Sequence, residues 1–132
     1  MVEINDPALA RRHRQAAILS RMMLAVIGSL HSAYRRKNVG AVFPELMISM
    51  VIRINDDEGK PPLHINTLAK LVKMPRSNVR RALEYLIVVG LVKKQNDGYV
   101  GDLDFLKARL NPPYWLDALA AIETAADELR KL

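Results

Sequence analysis

Between Arg76 and Arg81 the run RSNVRR places three arginines, a serine and an asparagine within six residues. These are the side-chain types that read the edges of bases in a DNA major groove. A guanidinium pairs bidentately with guanine O6 and N7, an asparagine amide with adenine N6 and N7, and a serine hydroxyl bonds a base or a phosphate. Ser77, Asn78 and Arg81 are the expected base contacts. Arg76, Arg80, Lys70 and Lys73 surround them and suit phosphate contacts, which fix register without reading sequence.

The charge distribution agrees with a polyanion as partner. The chain carries a net charge of +6, and between Lys60 and Lys94 eight cations stand against a single acid, Glu84. A local surplus of this kind draws in phosphates because each one neutralised releases condensed counterions. Two other fates compete for the arginines: a solvated face, or pairing with acids such as Glu84, four residues after Arg80. Glu84 either orients Arg80 or Arg81 or accepts from cytosine N4, and the sequence leaves both open.

Helical periodicity positions these residues. Val79, Ala82, Leu83 and Leu86 recur at i, i+3, i+4 and i+7, which predicts a helix beginning near Pro75. With that stripe turned inward, Ser77, Arg81 and Glu84 point to the opposite side, with Asn78, Arg80 and Tyr85 on the flanks. Gly90 follows as the expected C-terminal cap. A short helix precedes, with Asn66 as the expected N-cap and Ile65, Leu68, Ala69 and Val72 as its apolar face, after a very short strand at Leu63–Ile65. Beyond Gly90, LVKKQNDGYVG reads as a two-stranded hairpin around Asn96, Asp97 and Gly98. Lys93 and Lys94 on it are further expected phosphate contacts.

On the N-terminal side, Asp6 and Pro7 open a helix running to about Lys37, either continuous or broken near Gly28, with Ile18, Leu19, Met22, Met23, Val26, Ile27 and Leu30 as its apolar positions. Phe43, Leu46, Met47, Met50, Val51 and Ile54 predict the inward face of a second helix that ends at the loop NDDEGKPP, and the methionines read as core filler. On the C-terminal side, Leu103–Leu110 predicts a brief helix stopped by Pro112 and Pro113. A final helix from Trp115 to Leu132 carries Leu116, Leu119, Ile122, Ala126 and Leu129.

The expected fold class is mainly α with a small β wing: a winged helix-turn-helix whose second helix enters the major groove. It divides into N-terminal helices (1–59), the DNA-binding core (60–101) and C-terminal helices (102–132) of a single domain. The long terminal helices have more apolar surface than one small domain covers, and Ala118, Ala120, Ala121, Ala125 and Ala126 allow close helix approach. A homodimer on a pseudo-palindromic site is expected, the alternative being that both helices fold back on their own domain.

The run INTLAKLVKMPRSNVRRALEYLIVVGLVKK resembles the helix-turn-helix and the start of the wing in MarR-type winged-helix transcriptional regulators. Leu68, Ala69, Ser77, Val79, Arg81, Leu83, Leu86, Gly90, Leu91 and Val92 match the pattern, over about a quarter of the chain. The resemblance implies a transcriptional regulator, here expected to be a repressor. It also implies room for an aromatic or phenolic effector between the dimer helices and the winged domain, although no residue identifies one. The chain departs from the pattern at the wing, where QNDGYVG is short and lacks the family's arginine.

Other chemistry finds little support. His13, His31 and His64 are isolated, so no metal site is expected. Asp56, Asp57 and Glu58 are adjacent loop acids, and there is no GxSxG, no phosphate-cradling glycine pattern and no cysteine. Neither enzymatic activity nor a cofactor is expected. No apolar run approaches the ~18 residues of a membrane span, the N-terminus does not read as a signal peptide, and a chain without cysteine fits a reducing compartment; the cytoplasm is the expected location. Two further readings stay open: a replication or partition protein of a phage or plasmid, and a winged-helix adaptor that binds an acidic protein instead of DNA.

Overall fold

The computed structural model describes residues 3–34 and 38–132. It is mainly helical, with one small antiparallel sheet of two strands. Among the described residues, no helix is long and apolar enough to cross a membrane.

The chain forms two compact units. In the first, α1 (Pro7–His31) lies against α6 (Pro113–Arg130). The Asp6 carboxylate accepts from Ala8 N and Leu9 N, and Pro7 opens the helix, the expected pairing of cap and proline. Helix α1 passes through Gly28 without a break. The end of the expected helix, at 35–37, lies outside the described residues.

Helix α6 starts at Pro113, so this proline opens a helix instead of only closing the one before it. The two helices run antiparallel: Arg11 Nη1 donates to the Leu132 carbonyl at 2.9 Å, and Arg21 Nη1 meets Glu128 Oε2 at 3.5 Å. Ile18, Ala118 and Ala125 are buried. Ala118 and Ala125 of α6 are thus covered within the chain, while Ala120 stays exposed.

The second unit, Gly40–Leu110, contains nearly all of α2 (Val39–Asp57), then α3 (Ile65–Val72), α4 (Arg76–Val88), β1 (Val92–Gln95), β2 (Gly98–Gly101) and α5 (Leu103–Lys107). The grouping runs across the expected segments, since α2 falls with the central elements and α6 with α1.

Helix α2 corrects one expectation. Of the six residues assigned to its inward face, Leu46 is buried and Val51 half-buried, while Phe43, Met47, Met50 and Ile54 are 39–58% exposed. The buried face carries Val42, Glu45, Leu46, Ile48, Ile52 and Asn55. The helix is apolar around most of its circumference, so periodicity alone admits more than one inward face. Two polar anchors accompany this rotation. Asn55 Nδ2 donates to the Pro61 carbonyl at 2.9 Å, and Asp56 Oδ2 accepts from Gly101 N at 2.8 Å. The methionines correct a second expectation, because Met23, Met47 and Met50 are exposed.

In α3 the cap is His64, whose Nδ1 accepts from Asn66 N, and helical geometry begins with the buried Ile65. Asn66, the expected cap, is already inside the helix. The expected strand at Leu63–Ile65 shrinks to one residue: Leu63 and Tyr99 exchange backbone hydrogen bonds of 3.2 and 2.9 Å as an isolated bridge. Helix α5 stops at Lys107, three residues before the expected end.

Candidate nucleic-acid interface

The turn between α3 and α4 forms because neither Lys73 nor Met74 continues the helix. Lys73 lies in the left-handed region at φ 56°, ψ 48°, and Met74 N donates to the Ala69 carbonyl, a Schellman closure. Pro75 then removes one donor and disfavours helical geometry at Met74. Its carbonyl accepts from Asn78 N and Val79 N as α4 begins, and no side chain caps that end. The first N–H groups of α4 therefore face outward beside Arg76 and Ser77, where the helix dipole favours an anion.

One side of α4 is packed. Val79, Ala82, Leu83 and Leu86 are at most 4% exposed. The opposite side is open, with Arg76, Ser77, Asn78, Arg80, Arg81 and Glu84 all exposed. Among the described residues, the three arginines and Glu84 form no ion pair or hydrogen bond through their side chains, so the expected competitor, Arg80 with Glu84, is not made. Lys70 and Lys73 lie on the preceding helix and turn, and both are exposed. Gly90, at φ 90°, closes α4: Gly90 N donates to the Ile87 carbonyl at 3.1 Å and Leu91 N to that of Leu86 at 2.9 Å.

The hairpin follows directly. Val92 pairs with Gly101, Lys93 with Val100, Lys94 with Tyr99 and Gln95 with Gly98. Its two turn residues are Asn96 and Asp97, at φ 49° and 61°, the positive-φ pair of a type I′ turn. Gly98, expected inside the turn, instead opens β2. A Cβ there would stand 2.6 Å from Pro62 Cβ and 2.7 Å from its carbonyl carbon, so hydrogen alone fits between the hairpin and the chain entering α3.

The structure separates the two wing lysines. Successive strand residues point to opposite faces. Lys93 lines an open cleft with Arg53, Asp56, Asp57, Asp102 and Asp104. Lys94 lies on the other face, beside its cross-strand neighbour Tyr99. The period-two alternation of VKKQ carries this signal, because two adjacent strand residues cannot serve one surface.

Comparison with known families, curated proteins and solved structures finds no match to this chain.

The left-handed Lys73 has an opposed effect on stability and on the candidate contact. A side chain in this conformation costs roughly 1 kcal/mol, which glycine avoids. Lys73→Gly is expected to raise the thermal midpoint by a few degrees, since about 1 kcal/mol shifts a domain of this size by that much. If Lys73 meets a phosphate, the same change lowers affinity for all duplexes alike and reduces the salt slope by about 0.9. Thermal denaturation and a salt titration on one sample measure both; unchanged affinity removes Lys73 from the interface.

Proposed function

We propose that this chain is a sequence-specific, double-stranded DNA-binding regulator of transcription, a repressor acting as a homodimer on a pseudo-palindromic site. In this reading α3, the turn and α4 form a helix-turn-helix, the β1–β2 hairpin is its wing, and the MarR-type resemblance is one of architecture and of the α4 face. The observation that carries it is the open side of α4. Three guanidinium groups, a serine and an asparagine stand together there, without acidic partners among the described residues, on a helix whose reverse side is closed. Arg81, Asn78 and Ser77 read bases. Arg76, Arg80, Lys70, Lys73 and the wing lysine Lys94 hold phosphate, and Lys93, on the cleft side, contributes through its charge.

The dimer is supported by what α1 and α6 leave uncovered. Leu9, Leu19, Met23 and Leu24 on α1 are at least 49% exposed, and Trp115, Leu116, Leu119, Ile122 and Leu129 on α6 are 39–49% exposed. Helices of this length, about 27 Å for α6 at 1.5 Å per residue, packed 8–10 Å apart, offer a face of about 500 Å² per protomer. Two such faces bury about 1,000 Å², the lower bound for a specific interface. A second copy closing the pair into a four-helix bundle removes these side chains from water. Two-fold symmetry then matches half-sites about one helical turn apart.

Selection of bound duplexes from a random pool at ~0.15 M salt, near the physiological screening length, tests this reading when solution mass is measured on the same sample. An enriched palindrome with a dimer mass is expected. No enrichment, together with no duplex binding at low salt, overturns it in favour of a winged-helix adaptor.

A further inference from the structure

We propose that Glu84 is a further base-reading residue of α4, a carboxylate that accepts from cytosine N4 and disfavours sites presenting no amino donor at that position. The inference rests on the DNA-binding reading above. Position is the first support. At about 100° per residue, Ser77, Arg81 and Glu84 fall within a sector of about 60° opposite the packed stripe. From Ser77 to Glu84 the row runs about 10.5 Å along the axis at 1.5 Å per residue, short enough to lie within a major groove about 12 Å wide. A helix that carries Arg81 to a base edge carries Glu84 to the edge of a neighbouring pair.

The state of the carboxylate is the second support. Glu84 is exposed and, among the described residues, bonded to nothing, although Arg80 and Arg81 stand four and three residues before it. It is also the single acid among eight cations between Lys60 and Lys94. An ionised carboxylate only accepts hydrogen bonds. Against phosphate it is purely repulsive, so on a surface that only attracts a polyanion it would weaken every complex. In the major groove it has a match. Cytosine presents an amino donor alone, adenine an amino donor beside the acceptor N7, which repels a carboxylate, guanine two acceptors, and thymine an acceptor and a methyl group. The same charge therefore lowers affinity for random duplex and restores it at cytosine, discrimination through a repulsive element.

Parallel selections with the wild-type chain and Glu84→Gln, from one random duplex pool, test the assignment. Circular dichroism confirms that the exposed substitution leaves the helix content unchanged. A glutamine keeps the shape, loses the charge and pairs bidentately with adenine N6 and N7. The wild type is expected to show one position with a cytosine preference on the order of tenfold, equivalent to about 1.4 kcal/mol. In Glu84→Gln that position shifts to adenine, and affinity for random duplex rises about threefold as the repulsion is removed. Identical base preferences in both proteins, with unchanged affinity for random duplex, overturn the role of Glu84 and leave the DNA-binding reading in place. A change confined to a guanine position lost equally in Arg81→Ala makes Glu84 a positioning residue for Arg81 and also overturns it. A wild-type chain that enriches no sequence removes both readings.

Discussion

Replacing Arg76, Arg80 and Arg81 together with alanine is expected to weaken binding to the preferred duplex by on the order of 10²- to 10⁴-fold at fixed salt. One bidentate base contact supplies about 1–3 kcal/mol of this, and two phosphate contacts supply the remainder through counterion release. The packed side of α4 is untouched, because Val79, Ala82, Leu83 and Leu86 carry its burial and the three arginines are exposed. The fold should therefore survive, and helix content by circular dichroism should match the wild type. The single changes divide the effect. Arg81→Ala should relax one base position and weaken random duplex only about threefold, through the loss of one charge, whereas Arg76→Ala and Arg80→Ala should weaken all sequences and each lower the salt slope by about 0.9. Equal losses on specific and random duplex from Arg81→Ala remove it from base readout. An unchanged affinity of the triple variant removes α4 from the interface altogether.

Leu119→Glu combined with Ile122→Glu is expected to convert the proposed dimer to a monomer without unfolding it. Both side chains are exposed, 39% and 47% respectively, on the face of α6 that α1 does not cover. Carboxylates there are solvated in a monomer and would be buried unpaired in a bundle, at a cost of several kcal/mol each. The alanine face against α1, with Ala118 and Ala125 buried, is unchanged. Loss of the second half-site should then reduce affinity for a palindrome by about 10²- to 10⁴-fold, the range by which a linked second binding event exceeds a single one, while affinity for one half-site persists. Solution mass and a titration on whole and half sites measure both. A variant that keeps the dimer mass places the interface elsewhere.

Legibility in the sequence differs between helices for a physical reason. In α4 the apolar residues occupy one stripe and nearly every other side is charged or polar, so a single rotation satisfies the helix. Its inward stripe follows from residue spacing alone, as do the glycine at its end and the hairpin beyond. In α2 apolar residues cover most of the circumference. Phe43, Met47, Met50 and Ile54 form as good a stripe as the one that is buried, and the buried rotation is the one in which Asn55 and Asp56 also reach Pro61 and Gly101. The Gly101 partner is distant in sequence, and neither bond carries a periodic signal. The lysines of the hairpin are a smaller case: charge adds along the chain, whereas strand alternation sends Lys93 and Lys94 to opposite faces.

The sequence by itself determined the order of the main helices and the hairpin, that the middle of the chain is basic, and that Ser77, Arg81 and Glu84 share the outer side of one helix, because these follow from residue spacing and intrinsic backbone preference. Only the tertiary structure decided which face of α2 is buried, that α6 buries Ala118 and Ala125 and leaves Trp115 and Leu119 exposed, that Lys73 sits in left-handed geometry, and that Gly98 is held against Pro62. Each of these depends on which other segment arrives as a neighbour. Packing chooses between faces that local periodicity leaves equivalent.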